Sequence, residues 1–161
     1  MKKLIIILLF SPFICFSQNL EIDKESGKYT KQEVIEIENK SKDDLFNKTI
    51  EWITLNYNSA DDVIQLKDKE LGKIIIKGNF SSSMYMKQGW INHTLVLDFK
   101  DNKLRYKYTD FSYYSTGSGE MPFEKSMMSK KKMLKETEEK IDNSILSLKE
   151  HLIKDKDDSN W

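Results

Sequence analysis

His93-Thr94-Leu95-Val96-Leu97-Asp98-Phe99 and Leu104-Arg105-Tyr106-Lys107-Tyr108-Thr109, joined through Asp101-Asn102, decide the fold class. Apolar and polar residues alternate on both sides of the Asp-Asn turn, the pattern of two half-buried strands in a hairpin. Pairing them places Leu95, Leu97 and Phe99 on one face with Leu104, Tyr106 and Tyr108. Thr94, Asp98, Arg105, Lys107 and Thr109 take the other face. Alternation of this kind predicts an antiparallel sheet with one face packed and the other open.

Working outward, two short apolar runs precede the hairpin. Val63 to Lys67 and Lys73 to Lys77 read as strands joined by a turn at Asp68-Lys69-Glu70. Gly78 to Asn92 reads as a longer connection. Upstream, Glu33-Val34-Ile35-Glu36-Ile37-Glu38 alternates apolar and acidic residues and predicts a further strand with one wet face. The period then changes. Ser41-Lys42-Asp43-Asp44 offers a hydroxyl for an N-cap and an acid three residues on. Leu45, Phe46, Thr49, Ile50, Ile53 and Tyr57 follow at helical spacing, so residues 42–57 should form an amphipathic helix with Trp52 on its flank. After Gly117-Ser118-Gly119 and Pro122, a long helix is predicted from about Ser126 to Lys154. Leu134, Ile141, Ile145, Leu148 and Leu152 form its apolar stripe, which Thr137 and Glu138 interrupt. Packing on the sheet fits this stripe better than a coiled coil, although self-association through it is the alternative. The order is strand, helix, four strands, helix. It predicts an α+β domain: a single antiparallel sheet with two helices on one face.

These segments, taken in order, resemble a domain-of-unknown-function family with a fold like that of the TATA-box-binding protein. The likeness is carried by Glu33 to Ile37, Ser41 to Phe46, Trp52-Ile53, Ala60 to Gln65, Asp68 to Ile75 and Leu104 to Phe111. It spans about residues 29–115, with the last helix a looser match. The family is common in exported proteins of Gram-negative bacteria. The resemblance implies the same fold but no activity, since it has no catalytic residues to carry over. The namesake binds DNA through its sheet, but a shared fold does not transfer function.

The first 17 residues point to the compartment. Lys2 and Lys3 precede an apolar run from Leu4 to Phe10, extended by Phe13 to Phe16, with Cys15 and Ser17 as small residues before Gln18. This is the layout of a secretory signal peptide cleaved near Ser17/Gln18. The run falls short of the roughly 20 residues of a membrane span. Ile14 stands where bacterial acylation signals carry a small residue, so cleavage is favoured over a lipid anchor at Cys15. The expected product is exported, to the periplasm or beyond, with no transmembrane span. It divides into a lead-in (18–28), one domain (29–154) and a mobile charged tail (155–161).

Composition excludes several function classes. Removing Lys2 and Lys3 from 26 basic and 26 acidic residues leaves a net charge of −2, which gives no push toward nucleic acid. Cys15 is the single cysteine and leaves with the signal, so the mature chain has no disulfide or thiol nucleophile. Asn39, Asn47, Asn79 and Asn92 begin Asn-x-Ser/Thr triplets, which matter only in a eukaryotic secretory route. His93 falls in phase with core residues and His151 near a helix end; neither belongs to a metal motif. Asp43-Asp44, Asp61-Asp62, Asp68/Glu70 and Glu136/Glu138/Glu139 read as helix-start, turn and solvated-face carboxylates rather than as a facing acid pair. Lys130-Lys131-Lys132, near Lys125 and Lys135, reads as a solvated face neutralised by neighbouring glutamates. No cofactor is implied.

What remains is aromatic enrichment. Phe80, Tyr85 and Trp90 crowd the 78–92 connection, and Tyr113 and Tyr114 precede the last helix. With Arg105 and Lys107 on the open face, they are the candidate contacts for an envelope protein, peptide or glycan. The alternative is that both stretches prolong strands and their aromatics pair across a hairpin. A non-catalytic binding or accessory module is therefore expected. Its rivals are an envelope hydrolase using dispersed carboxylates and the helix-mediated homo-oligomer.

Overall fold

A computed structural model describes residues 19–82, 88–117, 119–125 and 129–154. Residues 1–17, the expected signal peptide, and the charged tail lie outside the described residues. Seven strands and three helices follow in the order β1 (Glu21–Ile22), β2 (Tyr29–Glu36), α1 (Lys42–Asn56), α2 (Ala60–Val63), β3 (Ile64–Asp68), β4 (Lys73–Ser82), β5 (Gly89–Lys100), β6 (Lys103–Ser115), β7 (Gly119–Pro122) and α3 (Lys130–Ile153). The strands form one antiparallel sheet in the order β1-β2-β6-β5-β4-β3, with β7 added beside β6. The β5–β6 hairpin is its centre. Leu95 pairs with Tyr108, Leu97 with Tyr106 and Phe99 with Leu104, and all six are buried.

α1 and α3 cover the face that carries these side chains. The predicted capping box is present: Ser41 Oγ accepts from the Asp44 N–H at 3.1 Å, and Asp44 accepts from the Ser41 N–H at 3.3 Å. Two donors at the helix start are thereby satisfied. Leu45, Phe46, Thr49, Trp52 and Ile53 point inward from α1. Trp52 lies in the core rather than on a flank; its indole N–H donates to Ser147 Oγ of α3 at 3.1 Å. Tyr108 reaches Ser144 Oγ at 2.9 Å, tying the sheet centre to the same helix. Ile141, Leu148 and Leu152 are completely buried. These three stripe residues pack inside the molecule, with Leu134 and Ile145 partly buried against the same core, as the sheet-packing expectation requires. Thr137, read as an interruption, is buried too; its hydroxyl donates to the Met133 carbonyl at 2.8 Å and exposes no polar atom to the core.

Three features differ from the sequence reading. Gly78 to Asn92 is not a long connection: β4 continues to Ser82 and β5 starts at Gly89. The polar lead-in joins the sheet through β1, and Leu20 is buried beneath α3, its N–H donating to Glu138 at 2.7 Å. Lys31, a residue no pattern singled out, is also buried; it pairs with Asp142 of α3. A buried lysine needs such a partner to stay charged.

Candidate functional site

Across the sheet from α1 and α3 no described helix or strand lies over the strands. Register orders this open face into rows. Asp68, Lys73, Asp98, Arg105 and Val34 form one row over five strands. Asp98 sits between two cations: Lys73 Nζ is 3.2 Å from Oδ1, and Arg105 donates to Oδ2 through Nη2 at 2.7 Å and Nε at 3.2 Å. Partial burial pushes the Asp98 pKa up. The hydrogen bonds from Arg105 and Lys73 outweigh that and hold it below the usual carboxylate range.

The adjacent row is apolar, with Leu66, Ile75 and Val96 side by side, then Lys107 and Gln32. Lys107 reaches Asp23 of the lead-in at 3.7 Å. Next come Lys77, Thr94 and Thr109, with Thr30 Oγ1 3.3 Å from Thr109 Oγ1. The following row is Asn79, Asn92, Ser112 and Pro122. The last is Ser81, Trp90, Tyr114 and Glu120.

Between the threonine and amide rows the sheet bulges. Thr94 faces Thr109 but Asn92 faces Ser112, so Asp110 and Phe111 together oppose His93. Asp110 takes a left-handed φ of 56°, a conformation that Asp tolerates better than most residues. Its carboxylate pairs with Lys28. The bend opens a depression of about 400 Å³ over Gly78, lined by Asn79, Asn92, Thr94, Ser112 and Glu120 among others. Glu120 Oε1 accepts from Asn92 Nδ2 at 3.0 Å and from Ser112 Oγ. The Ser112 bond, then the Asn92 bond, lower the Glu120 pKa.

The bulge also sets the phase of β6 beyond it, and with it the sides taken by Tyr113 and Tyr114. Phe80, Trp90, Tyr113 and Tyr114 are strand residues, which corrects the expectation of two aromatic loops. Trp90 pairs with Tyr114 across the hairpin on the open face, their rings 5.9 Å apart. Tyr114 is 41% exposed. Tyr113 points inward and is buried, its hydroxyl over Gly89. Phe80 also points inward and stacks on His93 at 4.2 Å. Neither side chain reaches the open face. Tyr85 lies outside the described residues. Arg105 and Lys107 stand where the alternation put them. Lys73, Asn79, Asn92, Ser112 and Glu120 escaped the sequence reading, because polar residues in a strand carry no signal until a register lines them up.

His93 belongs to the core. Phe80, Tyr108 and Phe111 surround it, and neither ring nitrogen has a hydrogen-bond partner among the described residues. Burial pushes its pKa down to about 4. Gly78 makes this packing possible. A Cβ there would stand 2.8 Å from the Tyr57 ring and 3.1 Å from His93 Nε2. Burial raises the Tyr57 pKa to about 12. Among the described residues no group of His, Asp and Glu is placed to hold a metal, and no helix is long and apolar enough to cross a membrane.

The match to a family of domains of unknown function with a TBP-like fold (DUF4468) covers residues 32–114, more than half of the chain. The chain belongs to this family. Solved structures agree on the fold of the DUF4468 domain. A TBP-like protein from Parabacteroides distasonis is similar with a TM-score of 0.69 at 17% identity, over 81% of this chain and 96% of the other. A DUF4468 family protein from Bacteroides ovatus is similar with a TM-score of 0.66 at 14% identity, over 84% of this chain and 92% of the other. At such identities the likeness concerns fold alone. No curated protein matches the chain.

Proposed function

We propose that this DUF4468 domain, freed of residues 1–17 outside the cytoplasm, is a non-catalytic docking module that works through its open sheet face. The observation that carries the reading is the composition of that face. An apolar row, Leu66-Ile75-Val96, lies between the ion-paired row around Asp98 and rows of hydroxyls and amides. A half-covered antiparallel sheet can simply face water. Here, however, Leu66 is 36% and Val34 51% exposed, and an aromatic pair stands at one end. Apolar anchors within a polar surround are the make-up of recognition surfaces. Acid catalysis fits the face poorly. Hydrolases hold one carboxyl protonated by raising its pKa, whereas Asp98 and Glu120 are both pushed down.

Two measurements test the reading. The mass of the protein isolated from its native host should correspond to a chain starting at Gln18; retention of Met1 refutes export. The tagged mature chain should capture a partner from native envelope that Val96→Asp and Trp90→Ala release, with helical and sheet content unchanged by circular dichroism. Capture that survives both substitutions refutes docking through this face.

A further inference from the structure

Within that docking reading, on which this inference rests, we propose that the depression beside Trp90 and Tyr114 is a binding subsite for a neutral oligosaccharide. Its lining selects against other ligands. Asn79, Asn92, Thr94 and Ser112 are uncharged; the two amides and Thr94 can donate and accept hydrogen bonds, and Ser112, whose proton goes to Glu120, can accept. The charges around it balance, Lys77 and Lys28 against Glu120 and Asp110, so an anionic or cationic ligand gains no net attraction. Asp110 is already occupied by Lys28. No large apolar side chain lines the depression, so an apolar peptide anchor has nothing to fill. Polyhydroxylated rings need what is present: amides, hydroxyls and a fixed carboxylate to pair with their OH groups, and an aromatic surface for their C–H face.

That aromatic surface is adjacent. Trp90 is two residues from Asn92 on the same face of β5, about 7 Å along the strand. Tyr114 is the register partner of both Trp90 and Glu120. The rings tilt by 34° to each other and form one continuous patch. Rigid aromatic rings lose little conformational entropy on contact. Glu120 is positioned before any ligand arrives, since Asn92 and Ser112 both hold Oε1. The volume of about 400 Å³ lies in the range of small-ligand sites.

Two-dimensional amide NMR of the ¹⁵N-labelled mature chain tests this. Cellohexaose, xylohexaose and mannohexaose serve as probes, and hexagalacturonate as the charged control. At least one neutral hexamer should produce saturable shifts at Asn92, Ser112 and the Trp90 indole, with hexagalacturonate binding at least tenfold more weakly. Trp90→Ala and Glu120→Gln should each weaken binding at least tenfold while the spectrum stays dispersed. The inference is overturned if no neutral hexamer shifts these residues, if hexagalacturonate binds equally well, or if either variant binds like wild type. Should envelope capture still depend on Trp90 and Val96 in that case, the docking reading stands and the saccharide assignment alone falls.

Discussion

Acid should weaken this fold through one side chain, His93. Its pKa is pushed down to about 4 by burial, against about 6.5 for histidine in an unfolded chain. Well above pH 6.5 the ring is neutral in both states and contributes nothing. As the pH falls from 6.5 toward 4, the unfolded chain takes up a proton that the native core refuses, and stability drops by up to about 1.4 kcal/mol per pH unit. Between pH 7 and pH 4.5 the loss comes to about 2 kcal/mol. Carboxylates such as Asp98 and Glu120, whose native pKa values lie below the ordinary range, also lose stability in acid, so wild type alone cannot isolate the histidine. His93→Phe can. The ring stays between Phe80 and Tyr108, the proton site is gone, and the carboxylates titrate as before. Urea unfolding of both proteins at pH 7, 6, 5 and 4.5 gives the difference directly. The variant should gain about 2 kcal/mol relative to wild type across that range. If the gap between the proteins stays constant within about 0.5 kcal/mol, the reasoning fails. A second readout needs no variant: the His93 ring signal should stay in its neutral position at pH 5 in native protein.

Two further perturbations probe the frame around the site. Ser41→Ala removes the acceptor for the Asp44 N–H and half of the capping box; a loss of about 1 kcal/mol is expected in urea unfolding, and an unchanged midpoint counts against the cap. Gly89→Ala brings a Cβ to within 2.5 Å of the Tyr113 hydroxyl and 2.7 Å of the Tyr114 carbonyl. A cost of about 1–3 kcal/mol should lower the melting temperature by several degrees, and a variant as stable as wild type contradicts this packing.

Much of the frame was legible because it rests on local periodicity. The alternation of Leu95-Leu97-Phe99 against Leu104-Tyr106-Tyr108 requires only that strands have a period of two. The Ser41–Asp44 cap and the stripe of α1 are equally local. Arg105 and Lys107 were placed on the open face by the same count. Elements held by neighbours distant in sequence leave a weaker local pattern. β4 from Gly78 to Ser82 has a glycine, an asparagine and two serines, poor strand formers that are held by pairing to β5. β1 and β7 are two and four residues long, too short for a period to show, and are held by pairing to β2 and β6. Lys31 enters the core because Asp142 waits on a helix more than a hundred residues away.

By itself, then, the chain's pattern of apolar and polar residues determined an antiparallel sheet with helices on one side. Tertiary structure decided which aromatics are available. Counting by twos from Tyr106 and Tyr108 would turn Ser112 and Tyr114 inward and leave Phe111 and Tyr113 in water. The extra residue at the Asp110–Phe111 bulge reverses the phase, so Phe111 and Tyr113 join the core and Tyr114 meets Trp90 outside. A bulge is fixed by how two strands accommodate each other, and a one-dimensional pattern holds no record of that fit.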